Sequence, residues 1–287
     1  MMVGMHVLRS WLTAGALVVA LVTPLALVGC GSSGPKMPPV GSSEPDKFLF
    51  DHGNAAMAKK RWMAAREYFK ALVERYPQSP YRPDAKLALG DTYILENSPE
   101  SKVLAVNEFN EFLSFFPTSP RADYAQYRIG YAHFKQMLAP QRDQTETRET
   151  LLQFGIFFRR YPNSELRPEV EKYNRQARDR LSESEFEVGR FYARLNWCPG
   201  AVERLQAVLK DDPEFTNRDG VYFYLGECYF KSNQRPAALP WYTRVVTDFQ
   251  KSQYLPRAKK RIDEINAPPA PSPKKSGDSS QPPTPAR

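Results

Sequence analysis

Histidine and cysteine are scarce in this chain, three of each among 287 residues. His6, His52 and His133 are far apart in sequence, so no pair of them has the spacing of a metal or acid–base motif. No His-Glu-x-x-His, Gly-x-Ser-x-Gly or Gly-x4-Gly-Lys-Ser/Thr motif occurs, which removes zincin, serine hydrolase and P-loop chemistry. The chain therefore reads as a non-enzymatic protein, with no metal and no cofactor. It also lacks sustained apolar–polar alternation and any Asn-Gly hairpin signal, so a β architecture is excluded. The one long apolar run, from about 12 to 28, is interrupted by Pro24. It falls short of the roughly 20 unbroken apolar residues that a transmembrane helix needs.

That run has the form of a secretory leader: Arg9 ahead, an apolar centre and small residues at its end. It closes in Leu27-Val28-Gly29-Cys30, followed by the polar Gly31-Ser32-Ser33-Gly34-Pro35. The four residues resemble the bacterial lipobox. The resemblance implies cleavage before Cys30, a diacylglycerol on its thiol and further acylation of the palmitate type. Each buried methylene contributes about 0.8 kcal/mol, so several chains would make the attachment permanent. Gly31 in place of Asp implies sorting to the outer rather than the inner membrane of a Gram-negative cell. Apart from the covalent lipid on Cys30 no bound group is expected.

Forty basic against 32 acidic residues give a charge of +8, or +7 once Arg9 leaves with the leader. Acidic residues are interspersed throughout, so nucleic acid is a poor partner. Residues 1–29 read as a signal peptide and 30–45 as a lipidated cysteine with a flexible Gly/Ser/Pro tether. Residues 46–265 read as helical, and 266–287 as a disordered Pro-rich tail.

The helical region repeats. Gly53, Ala65, Phe69 and Pro77 are spaced by 12, 4 and 8 residues, and Gly189, Ala201, Leu205 and Pro213 keep the same spacing. Leu225-Gly226, Tyr229, Ala238 and Tyr242 continue it, with Gln250 in place of proline. This is the tetratricopeptide pattern. The small residues let helices A and B approach closely, the aromatic fills the gap, and proline ends helix B. Leu89-Gly90, Tyr93, Ala105, Phe109 and Pro117 form a second unit with three extra residues in its turn. Ile129-Gly130, His133, Thr150, Phe154 and Pro162 form a third with eight extra. The expected fold is all-α, a tetratricopeptide superhelical solenoid of about five helix pairs. Its repeats lie near 46–79, 83–119, 123–164, 182–215 and 219–252, and a capping helix with a basic face follows. A charged run from Leu166 to about Leu181 is expected to lengthen the first helix of repeat four. Ser79, Ser119 and Ser164 are expected to cap the next helices, with Pro80 and Pro120 at their first positions. Cys198 and Cys228 fall on neighbouring repeats, about 10 Å apart, whereas a disulfide needs Cα atoms within about 7 Å. They are expected as two separate, partly buried thiols.

In tetratricopeptide domains the second, fifth, ninth and twelfth residues of helix A face the concave groove. With Gly53 as the eighth, the groove set includes Lys47, Phe50, Asn54, Leu87, Tyr124, Tyr127, Tyr131 and Phe134. Four aromatics on one helix suit a hydrophobic, aromatic peptide. Repeats four and five supply a more charged set, including Glu183, Arg190 and Glu227.

The lipobox, tether, five repeats and Tyr76-Pro77-Gln78-Ser79-Pro80 exit, with the Arg142-Asp143-Gln144-Thr145 stretch, resemble the BamD family of outer-membrane assembly lipoproteins. The resemblance covers about 46–265; the Pro-rich tail departs from it. It implies a periplasm-facing outer-membrane lipoprotein of the β-barrel assembly machinery (BAM complex). Its carboxy-terminal repeats would bind the barrel-forming (BamA-like) subunit, and its amino-terminal repeats would receive unfolded β-barrel substrates. The family uses an arginine in helix B of the fourth repeat for the barrel subunit, and Arg204 is the matching position, with Arg194 nearby. The rival reading is a periplasmic adaptor of the Tol or cell-division coordinator type. Those proteins share the Tyr-Pro-x-Ser exits but usually carry a coiled coil and lack the lipobox.

Overall fold

Each helix pair is closed by a bulky side chain of helix B driven against a glycine of helix A. A Cβ added to Gly53 would lie 2.5 Å from the Phe69 ring, and one on Gly226 would lie 2.7 Å from Tyr242. Gly90 with Phe109, Gly130 with Phe154 and Gly189 with Leu205 repeat the contact. Phe69, Phe109, Phe154, Leu205 and Tyr242 are fully buried, as their spacing predicts.

The computed structural model describes residues 36–267. The chain divides into two units, 1–36 and 37–287, and the described helices belong to the second. The leader, Cys30 and nearly all of the Pro-rich tail lie outside the described residues. The pairs are α1 (Pro45–Ala58) with α2 (Trp62–Arg75), and α3 (Arg82–Glu96) with α4 (Pro99–Phe115). Then follow α5 (Ala122–Phe134) with α6 (Thr145–Arg160), and α7 (Arg167–Arg194) with α8 (Cys198–Asp211). The last pair is α9 (Arg218–Lys231) with α10 (Arg235–Asp248), and α11 (Leu255–Asn266) closes the series. Each helix packs on the one before and the one after it, the neighbour-only packing of a tetratricopeptide solenoid. The charged run does lengthen repeat four: α7 is one helix of 28 residues.

Three expectations need correction. Ser79 and its counterparts do not cap the next helices; α3 begins at Arg82, with Pro83 rather than Pro80 in its first turn. Ser79 Oγ instead accepts from the Tyr81 N–H and donates to Asp46 at 2.6 Å, at the start of helix A of its own repeat. Ser164 does the same to Asp123 at 2.6 Å, Thr216 to Asp179 at 2.9 Å and Ser252 to Asp219 at 2.5 Å. These exit turns are thus buckled back to helix A of their own repeat; Asp46, Asp123 and Asp219 stand in its first turn, where an acid also suits the helix dipole, while Asp179 lies midway along α7. In repeat two Asp84 takes Arg121 instead, at 3.0 Å.

The two cysteines are not separate. Both are buried free thiols in one apolar cluster. The 10 Å estimate measures helix axes, whereas side chains on facing helices reach toward each other across that gap.

The basic face of α11 is not all solvated. Arg257 lies over the Phe223 ring at 4.4 Å, and Arg261 lies over Phe230 at 4.5 Å while donating to Glu227 at 2.7 Å. Lys259, Lys260 and much of Arg257 stay exposed, while Ala258 is buried and Arg261 is half-buried, so α11 occupies the place of a sixth helix A. Burial opposes the Glu227 charge, but Arg261 and the Tyr242 hydroxyl outweigh it and hold the carboxyl below its usual range.

The long connection of repeat three is folded rather than loose. Gln144 donates from its side-chain amide to the Ala139 and Arg142 carbonyls at 2.9 and 3.0 Å, and accepts from Thr147 at 2.8 Å. His133, at the helix A position that Tyr93 holds in repeat two, is half-buried and ties α5 to α6 through Glu146 at 2.8 Å.

Four residues in the A–B turns adopt the left-handed conformation: Lys60, Asn97, Asn196 and Asn233. Asparagine tolerates this region, and lysine bears a Cβ clash there. Lys60, at φ 55° and exposed, is the misfit. Lys60→Asn is expected to raise stability by about 0.5–1 kcal/mol, read as a higher urea midpoint at unchanged slope. A midpoint that stays or falls contradicts this reading of the turn.

Candidate functional site

The fifth position of helix A is not groove surface but seam. The next helix A, or the turn leading into it, lies over it. Leu87 is 1% exposed and Tyr127 is 4% exposed, so neither is available to a ligand. Tyr127 donates to Glu169 at 2.9 Å and stacks on Tyr173 at 6.4 Å, both on α7. Phe50 is half-buried and stacks on Tyr81 at 5.2 Å, in the turn before α3. These three expected groove residues hold repeats together instead.

What remains open on the concave side is an aromatic ledge between α5 and α7. Tyr131 and Phe134, both expected, are half-buried and meet Tyr173 at 5.1 and 4.8 Å. Tyr173 sits on the amino-terminal extension of α7, outside the 34-residue register, where repeat positions say nothing of facing. Tyr124 is half-buried at the edge and donates to Asp91 at 2.7 Å. Behind these rings Arg128 pairs with Asp91 at 2.7 Å and lies over Tyr131 at 5.3 Å. Its Nε is buried without a hydrogen-bond partner among the described residues. Burial pushes the Asp91 carboxyl up, with Arg128 pulling against it, and burial likewise raises the Tyr124 hydroxyl. Lys47 and Asn54 are exposed on α1, and no direct contact joins them to the ledge.

A second feature lies between α6, α7 and α8. A hollow of about 310 Å³ is lined by Arg148, Arg178, Glu185, Arg204 and Asp211 at its polar rim, with Leu151, Leu181 and Val208 as apolar wall. Arg204 is 47% exposed and donates to Glu185 at 3.2 Å. Beside it Asp212 is buried, accepting from Arg175 at 2.9 Å and Ser182 at 2.7 Å. Burial opposes that charge, but Arg175 and Ser182 keep the carboxyl below its usual range. Three guanidinium groups facing an apolar wall suit an acidic side chain presented on a folded surface. Arg148 and Arg178 were not predicted: they lie on α6 and on the α7 extension, and only the packing brings them to Arg204. Arg194 does not line the hollow; it is exposed on the last turn of α7 beside exposed Phe191, Leu195 and Trp197. Among the described residues no group of His, Cys, Asp and Glu is placed to hold a metal.

The profile of YfiO, the outer membrane lipoprotein family, matches residues 42–231. The outer membrane protein assembly factor BamD of Caulobacter vibrioides is 24% identical over 212 residues, covering 74% of this chain and 68% of that protein. BamD of Haemophilus influenzae is 24% identical over 262 residues, covering 87% and 97%. Among solved structures, the TPR2AB domain:pHSP90 complex of yeast Sti1 is similar at a TM-score of 0.43 and 14% identity, covering 78% of this chain and 84% of that one. With a matched span running from just ahead of α1 to the end of α9, the chain belongs to the YfiO outer membrane lipoprotein family.

Proposed function

We propose that this chain is a lipid-anchored, periplasm-facing scaffold and substrate receptor in the assembly of β-barrel outer membrane proteins. The observation that carries the reading is the family match, which spans nine of the eleven described helices. It makes the chain an outer membrane protein assembly factor without enzymatic activity. The lipobox at Leu27 to Cys30 supports the anchor. The ledge of Tyr131, Phe134 and Tyr173 supports a receptor role: barrel strands alternate apolar and polar residues, and half-buried rings offer sites for the apolar ones. The hollow around Arg204 supports docking of the barrel-forming subunit through an acidic group. The ledge is built on α5 and the start of α7, and the hollow on α6, the middle of α7 and α8, so one chain can hold substrate and partner together.

Two experiments test this reading. Metabolic labelling with a clickable fatty acid is expected to tag the wild-type chain and not Cys30→Ala. Equal labelling of both sinks the anchor. A synthetic peptide copying a terminal barrel strand with a final aromatic is expected to bind the full chain weakly. Tyr131→Ala with Tyr173→Ala should weaken it roughly thirtyfold, because buried aromatics each contribute about 1 kcal/mol or more. Tyr127→Ala should instead lower stability by about 3 kcal/mol. Unchanged affinity in the double variant, with helix content intact, removes the ledge from the receptor.

A further inference from the structure

Cys198 opens α8, and Cys228 lies about one turn before the end of α9. The contacts around them fix these two segments against each other. Lys231 Nζ donates to Asn196 Oδ1 at 2.8 Å and to the Ala193 carbonyl at 3.4 Å, which pins the end of α9 to the α7–α8 turn. Cys198 follows that turn by two residues, and Cys228 precedes Lys231 by three. Both sulfurs then enter one apolar cluster with Ala201, Leu205, Val221 and Leu225. They are 6% and 1% exposed, and each is a free thiol. Burial, and then hydrogen-bond contact with Cys198, pushes the Cys228 thiol well above its ordinary range. Neither thiol is thus an exposed nucleophile; each has the other as its immediate sulfur neighbour.

We propose that Cys198 and Cys228 close to a disulfide that staples repeat four to repeat five, an inference that rests on the periplasmic location proposed above. The oxidant is a disulfide, either of a thiol oxidoreductase or of glutathione. One cysteine thiolate attacks it, forming a mixed disulfide and releasing one thiol. The second cysteine thiolate then attacks the protein sulfur of that mixed disulfide and expels the other thiol. The chain loses two protons and two electrons, and the oxidant becomes two thiols. Burial sets the timing. A bulky disulfide cannot reach either sulfur in the folded cluster, so the exchange takes place while α8 and α9 dock. The same burial afterwards shields the bond from reductants. The bridge would fix α8, which carries Arg204, to the repeat that follows it.

The test uses the full chain extracted from the cell envelope in detergent, its free thiols trapped by alkylation. A non-reduced tryptic digest is expected to contain residues 195–204 linked to 219–231, lighter by two hydrogens than the two peptides together. Reductant and Cys198→Ala should each abolish it. In a second arm the same chain is reduced, unfolded and refolded in a glutathione redox buffer. The linked peptide is expected again, with a thermal midpoint above that of the reduced form. Two alkylatable thiols after oxidative refolding overturn the pairing. A bridge that forms on refolding but is missing from the envelope-extracted chain upholds the pairing and overturns the periplasmic location instead.

Discussion

The glycine of helix A against the bulky residue of helix B is the contact on which the rest of this structure depends. Where Phe69 meets Gly53, or Tyr242 meets Gly226, a Cβ on the glycine would sit within 3 Å of the ring. The two helices therefore approach as closely as the backbone allows, and the faces they present to their neighbours are set by that registry. An alanine at Gly53 would push Phe69 out of a fully buried site and force the pair to splay. In a solenoid such a change spreads only to the next repeat, because each repeat contacts only its neighbours. The exit buckles, such as Ser79 on Asp46 and Ser252 on Asp219, hold each repeat at its other end.

The same registry divides the concave side into seam and surface. Stacking one helix A against the next buries Leu87, Tyr127, Phe186 and Phe223, all at the fifth position. What stays accessible comes from the ninth and twelfth positions and from whatever lies across from them. In repeat three that means Tyr131 and Phe134, and the side chain across from them is Tyr173 on the extension of α7. Repeat five is closed differently. Arg257 and Arg261 of α11 cover Phe223, Glu227 and Phe230, so part of the capping helix's basic face seals the end. The open aromatic surface is thereby concentrated toward repeat three, and the arginine-rimmed hollow lies between α6, α7 and α8.

How much of this was legible in the sequence follows from the range of each interaction. The helix pairs, the long α7 and the glycine wedges are local, and a fixed spacing of small and aromatic residues reveals them directly. The exit serines were found, but their role was misread. Asp46 lies 33 residues before Ser79, and nothing local says that the hydroxyl turns back to it. The groove was half legible. Position numbering gives the face on which Leu87 and Tyr131 lie, but not how far the next helix covers each of them. Tyr173, Arg148 and Arg178 could not be found by register, because an extended helix and an eight-residue insertion carry them out of the repeat. The cysteines show the same limit: helix spacing is a property of axes, and the meeting of two side chains is decided by their rotation about those axes.

The central claim is a division of labour along one scaffold, with substrate on the ledge and the barrel-forming subunit at the hollow. Site-specific photo-crosslinking in living cells measures it most directly, with the photoreactive residue placed at Phe134 in one strain and at Arg178 in another. The predicted result is a heterogeneous set of unfolded barrel proteins captured from Phe134, and one folded barrel-forming subunit captured from Arg178. Capture of the same single partner from both positions, or of barrel substrates only from Arg178, would contradict it.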